Sequence, residues 1–147
     1  MRVLLQRVKD ACVIVENRGI VEIRCGLLLL VGIGKDDKED DLARLSQKIL
    51  SLRVFDDPEG KMNLNVRQIG GEILSIPQFT LYADIQRGNR PGFESAAPPE
   101  KAQRLWIEFN ALLKKSGATV KEGVFGASME VGLTNDGPVT IWLDSKL

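Results

Sequence analysis

Residues 27–33 read Leu-Leu-Leu-Leu-Val-Gly-Ile and are closed at either end by Gly26 and Gly34. The run is continuous and short, with no polar position to turn toward water. It therefore predicts a β-strand buried on both faces rather than an amphipathic element. Its apolar stretch is also far below the length needed to span a bilayer.

The rest of the chain supplies the cover such a strand needs. Residues 3–8 and 11–16 alternate as strands, followed by a turn at Asn17-Arg18-Gly19 and a strand over 20–24. Asp36 and Asp37 are N-cap candidates for a helix running to about Leu52, with Leu42, Leu45, Ile49 and Leu52 as its apolar stripe. Asp56-Asp57-Pro58-Glu59-Gly60 reads as a turn, and residues 72–81 return to strand. A polar loop rich in Gly and Pro occupies 82–98, long enough to suggest a functional role. A second helix is predicted over 99–115, opened by Pro98-Pro99-Glu100 and stopped by Lys114, Lys115 and Gly117. Strand-like pieces at 119–125, 128–133 and 139–143 close the chain. The expected architecture is a single α/β domain over 1–147, β-rich, whose mixed sheets form a sandwich- or barrel-like core with two main helices packed on one side.

At 147 residues the chain can bury a proper core, about 70% of the surface its unfolded form exposes. Twenty basic and 20 acidic residues cancel, so a broad basic face for nucleic acid is not indicated, although a local patch is compatible. Met1-Arg2-Val3 leads directly into a strand pattern, which predicts no signal peptide and a cytoplasmic, non-membrane protein. The chain contains no histidine, so Ser-His-Asp and Cys-His catalysis are excluded and the commonest zinc ligand is missing. Cys12 and Cys25 lie in separate apolar stretches and read as buried thiols, with neither a disulfide nor a metal pair supported. Neither a metal nor a cofactor is expected. Any catalysis falls to hydroxyls, amides, backbone donors or the substrate's own groups.

Three places carry chemistry. Strand alternation sets Arg7 on the face of Val3 and Leu5, where a guanidinium needs acceptors; it either clamps backbone carbonyls or ends in solvent at a strand terminus. In Ser75-Ile76-Pro77-Gln78-Phe79-Thr80-Leu81, Gln78 and Thr80 are expected on one strand face, where amide and hydroxyl can grip a carbonyl group. Thr80 is conceivable as a nucleophile but has no base in view, and a plain β-branched strand residue is the alternative. In Asn135-Asp136-Gly137-Pro138-Val139-Thr140, a turn leads to Pro138 at the start of the last strand. A cis Gly137–Pro138 bond would aim two carbonyls the same way, as suits an ammonium group; a trans proline at a strand start is the ordinary alternative.

These phrases together resemble the D-aminoacyl-tRNA deacylase family, formerly called D-tyrosyl-tRNA deacylases. The matching residues are Met1-Arg2-x-x-x-Gln6-Arg7-Val8, Ser75-x-Pro77-Gln78-Phe79-Thr80-Leu81, Arg87-Gly88-x-Arg90-Pro91-x-Phe93, Phe125-Gly126-Ala127-x-Met129 and the closing Asn135-to-Thr140 phrase. They span the full chain in the family's order.

The resemblance implies a homodimeric hydrolase acting on the 3′ acceptor end of tRNA. It would cleave the ester to a D-amino acid, and to glycine mischarged on other tRNAs. It implies a cis Gly137–Pro138 inserted into the partner subunit's pocket, its carbonyls holding the α-amino group and its backbone walling out L side chains. It implies catalysis through the tRNA's terminal 2′-hydroxyl, with Gln78 and the Phe79 and Thr80 N–H groups polarising the carbonyl. Ser75 and Thr80 would position the substrate, while Phe125, Ala127 and Met129 would form the adenosine pocket. Arg7 would brace the Gly137–Pro138 loop, and Arg87 and Arg90 would meet tRNA phosphates. Two rival readings remain: a dimer that captures nucleic-acid ends without turnover, and a small-ester hydrolase with Thr80 as nucleophile.

Overall fold

The computed structural model describes residues 1–147. Strands β1 (Arg2–Val15), β2 (Gly19–Ile23) and β3 (Gly26–Gly32) are followed by helix α1 (Glu39–Ser51) and a small hairpin, β4 (Phe55–Asp56) with β5 (Met62–Leu64). Strand β6 (Glu72–Pro77), a 3-10 turn (Phe79–Tyr82), helix α2 (Pro99–Lys115), β7 (Thr119–Glu122) and β8 (Met129–Asp144) complete the chain. No helix is long and apolar enough to cross a membrane.

All but the hairpin join one six-stranded sheet. Strand β1 organises it. Antiparallel β8 lies along one edge of β1 from Arg2 to Val15. A strand has only two edges, so β3 (paired at Arg2 to Val8) and β2 (paired at Ala11 to Val15) divide the other. Register shifts around Val8 bend β1 between these halves and curl the sheet into a nearly closed barrel. Strands β3, β6 and β7 are mutually parallel, with α1 and α2 as crossovers.

The glycine-bounded strand is buried on both faces. Leu27, Leu29 and Val31 pack with Leu42, Ile49, Leu105 and Phe109 of the helices, which lie together on one side. Leu28 faces the other way, into a smaller core with Val8, Val13, Leu74 and Ile76. Gly26 has a packing role, because a Cβ there would overlap the Glu72 carbonyl of β6.

Five local expectations need correction. Cys25 is exposed and Cys12 only half-buried, so neither is a buried thiol. The strand pieces at 3–8 and 11–16 are one bent strand. The strand at 72–81 stops at Pro77; the Gln78 N–H makes a last bond to Val31 of β3, and the chain turns into the 3-10 segment. Asp36 and Asp37 do not cap α1: Lys38 does, its N–H donating to Asp41 at 3.0 Å. Asn135-Asp136-Gly137 is no separate turn before a last strand, since β8 runs through it as an irregularity opposite Val8 of β1.

Candidate functional site

A groove of about 770 Å³ opens at the carboxyl ends of β3 and β6, where parallel strands leave a crevice. It is lined by Val31, Ile76 and Pro77 of the parallel strands, by Ala102 and Trp106 of α2, and by Phe125, Ala127, Met129 and Val131. Gln78 and Phe79, which follow β6, and Phe93 and Glu94 of the long loop complete the lining. Phe79 and Phe93 meet edge to face with centroids 4.9 Å apart.

The wall residues are held from behind. The Trp106 indole N–H donates to Ser75 Oγ at 3.0 Å, and its ring lies 6.2 Å from that of Phe125. The Met129 thioether accepts from the Val124 N–H at 3.4 Å, closing the 124–129 turn so that Phe125 and Ala127 are presented together.

Ser75 is fully buried, with its hydroxyl committed to Trp106. Ser75 thus meets the groove through Trp106, which lines it.

Gln78 and Thr80 do come together, but through the turn and not on a shared strand face. The Gln78 amide donates to Thr80 Oγ1 at 2.5 Å, and the Gln78 N–H donates to the Val31 carbonyl at 2.7 Å. Thr80 is exposed and is not among the groove-lining residues. Phe79 and Thr80 open the 3-10 turn, where N–H groups have no partner within the helix.

The turn is anchored by Tyr82, whose phenol donates to the buried Asp37 at 3.3 Å. Asp37 also accepts from the Gly34 N–H at 2.6 Å and from the Met1 α-amine. Burial, with Asp37 alongside, pushes the Tyr82 phenol well above its ordinary range, so it stays a donor.

Gly137 and Pro138 lie elsewhere. Their peptide bond is cis, both residues are exposed, and neither lines this chain's own groove. The loop is gripped from β1: Arg7, 6% exposed, donates to the Asp136 carbonyl at 2.8 Å and to the Val54 carbonyl at 2.6 Å. Asp56 and Asp136 carboxylates stand 3.4 and 3.5 Å from the guanidinium. Asn135 ties the loop base, accepting from the Val139 N–H at 2.8 Å and donating to the Val139 carbonyl at 3.1 Å. Arg87 and Arg90 sit exposed on a loop whose stem is the Asp84–Gly92 bridge, outside the groove. No cluster of three acidic, cysteine or histidine side chains converges to hold a metal ion.

Sequence reasoning did not find Trp106, Tyr82, Asp37 or Asn135 as parts of the site. Only Asn135 stood within a quoted phrase.

An apolar groove with hydrogen-bonding groups at one end of a parallel crevice marks an α/β domain built to bind a small ligand or the end of a larger one. Comparison with known proteins makes this specific. The family described as D-Tyr-tRNA(Tyr) deacylase matches residues 4–144. A D-aminoacyl-tRNA deacylase of Thermotoga petrophila is 52% identical over 146 residues, covering 99% of this chain and 98% of the relative. One from Staphylococcus carnosus is 52% identical over 147 residues, covering 99% and 97%. Among solved structures, a protein titled c-Myc DNA Unwinding Element Binding Protein superposes with TM-score 0.92 at 40% identity over 98% of each chain. A probable eukaryotic D-amino acid tRNA deacylase shares the fold, with TM-score 0.82 at 18% identity over 97% of each chain. The chain belongs to the D-aminoacyl-tRNA deacylase family.

Proposed function

We propose that this protein hydrolyses the ester between a D-amino acid and the terminal adenosine of tRNA, in the cytoplasm, and rejects L-amino acids. The observation that carries the reading is the composition of the groove. Its lining is largely apolar and aromatic and includes Gln78 and Phe79, where the 3-10 turn opens. Adenosine occupies the part lined by Phe125, Ala127 and Met129. Gln78 and the Phe79 and Thr80 N–H groups polarise the ester carbonyl, as preorganised donors aimed at a developing oxyanion do. Water bonds to the acyl carbon, the bond to the 3′-oxygen breaks, and the proton passes to that oxygen with the tRNA's 2′-hydroxyl as relay. A chain without histidine is compatible with such substrate assistance.

The chiral wall is the Gly137–Pro138 loop. It does not reach its own groove, which favours a homodimer in which each copy offers this loop to the other. Edge strand β8 supports that arrangement, because Val131 and Leu133, in register with inward-facing Val13 and Ala11, are each 37% exposed. Carbonyls of the loop hold the α-amino group, and an L side chain collides with backbone. Glycine, having no side chain, passes and is hydrolysed. Each tenfold of discrimination takes about 1.4 kcal/mol at the transition state, which a rigid wall supplies several times over. Arg87 and Arg90 meet acceptor-end phosphates, a limited contact that suits a net charge of zero.

The test is hydrolysis of matched D- and L-tyrosyl-tRNA by the purified protein. Release from the D-ester with the L-ester spared is expected, and binding of both without release would favour a tRNA-end binding module instead. Thr80→Ala is expected to keep substantial activity while a 2′-deoxy terminus abolishes it. The reverse pattern would establish Thr80 as the nucleophile.

A further inference from the structure

The 3-10 turn carries the polar end of the groove, and its position depends on residues that never touch the groove. Gly32 and Gly34 of the β3 end let the turn lie directly on the strand. A Cβ at Gly32 would sit 3.0 Å from the Gln78 carbonyl oxygen, and one at Gly34 would sit 2.7 Å from the Tyr82 hydroxyl. On the other side lies Arg2. Its guanidinium stacks over the Tyr82 ring at 4.4 Å and donates to the Leu81 carbonyl at 2.9 Å. It also pairs with Asp144 at 3.1 Å and has Trp142 at 5.8 Å on its far side. A planar cation held by an aromatic face, a carboxylate and a carbonyl keeps one orientation, which a lysine could not reproduce. Leu81 and Tyr82 are the last two residues of a four-residue turn, so fixing them fixes the N–H groups at its start.

We propose that Arg2, clamped over Tyr82, is a positioning residue that sets the placement of the Phe79 and Thr80 N–H groups and thereby controls turnover. The inference rests on the deacylase reading above and extends it to a residue that does not line the groove. Geometric slack of a fraction of an ångström in oxyanion donors lowers the rate of the chemical step while leaving ground-state binding nearly intact.

The test compares Arg2→Met and Arg2→Lys with the unaltered protein in D-tyrosyl-tRNA hydrolysis, alongside amide hydrogen exchange across residues 78–83. Arg2→Met is expected to lower kcat about tenfold with KM changed less than about twofold. Exchange of the Leu81 and Ala83 N–H groups, which bond to the Gln78 and Thr80 carbonyls, is expected to accelerate. Arg2→Lys should recover part of the rate. Unchanged kcat in Arg2→Met, a change in KM alone, or a fall in kcat without faster exchange in this segment would each overturn the clamp. Absence of hydrolysis by the unaltered protein refutes the deacylase reading instead, and the exchange arm then judges the clamp by itself.

Discussion

Replacing Arg7 with methionine keeps the length and most of the apolar contact of the side chain but removes its donors. Two of these end on the Val54 and Asp136 carbonyls at 2.6 and 2.8 Å in a buried setting. Hydrogen bonds from a charged donor contribute about 1.5–3 kcal/mol each. The carboxylates of Asp56 and Asp136 are 55% and 35% exposed, so these ion contacts add at most about 0.5 kcal/mol each. Relief of burying the guanidinium offsets part of the sum. The expected net loss is about 3 kcal/mol, near the low end of the bonds alone. With a urea slope of about 2 kcal/mol/M for a domain of this size, the unfolding midpoint should fall by about 1.5 M. Arg7→Lys can serve only one of the two carbonyls and should recover about half of that loss. Urea titration followed by tryptophan fluorescence reads both shifts. A midpoint lowered by less than about 0.5 M at unchanged slope would refute the reasoning. Should Arg7 brace the chiral loop, the preference for D- over L-tyrosyl-tRNA must narrow in the same variant, measured below its new midpoint.

Gly26→Ala drives a methyl group into the Glu72 backbone, which cannot yield without breaking the β3–β6 ladder; a loss above about 3 kcal/mol is expected in thermal or urea unfolding, and near-native stability would contradict it. Asp41 is subject first to burial, which opposes ionisation, yet the Lys146 ammonium and the Lys38 N–H, each at 3.0 Å, together with the Ser145 hydroxyl bring its pKa from 3.8 down to about 2. Because the folded value is the lower one, its stabilisation is complete above pH ~4 and disappears as pH falls through ~2. The full shift corresponds to about 2 kcal/mol, reduced to about 1 kcal/mol by screening at half-exposed Lys146, so the stability gap to Asp41→Asn should close over that range in acid titrations. Ser75→Ala should retain hydrolysis within a few-fold, since the hydroxyl faces Trp106 and not the groove. A double-mutant cycle with Trp106→Phe should give a coupling of about 1 kcal/mol, and a cycle near zero would remove the bond from the account.

What could be read from sequence was whatever local pattern encodes. The glycine-bounded apolar run identified β3 and its two buried faces. Pro98-Pro99 and Gly117 delimited α2 to the residue, because proline at a helix start and glycine past its end act on the backbone itself. Alternation placed Arg7 on the buried side. Pattern alone could not say which carbonyls it meets, 47 and 129 residues away, because every residue carries one; only the family resemblance pointed to the Gly137–Pro138 loop. The contact of Tyr82 with the Asp37 carboxylate was hidden by separation alone, 45 residues along the chain. The surroundings of Ser75 could not be read, because a motif tells which residue is present and not what its hydroxyl meets. Gln78 and Thr80 were brought together by a mechanism other than the one expected, since the chain leaves the strand after Pro77 and enters the 3-10 turn.

Strand β1 acts as a ruler. Arg2 reaches the turn at one end of the groove, and Arg7 reaches the loop proposed to serve the neighbouring copy. Between them lie five steps of a single strand paired on both edges, roughly 17 Å of backbone with little freedom to stretch. A register slip of one residue here would reverse both arginines at once, sending each guanidinium to the opposite face of the sheet. The two halves of the apparatus are thus mechanically linked through β1. A single-residue insertion between Arg2 and Arg7 should leave one in register and throw the other to the opposite face, uncoupling the turn from the loop.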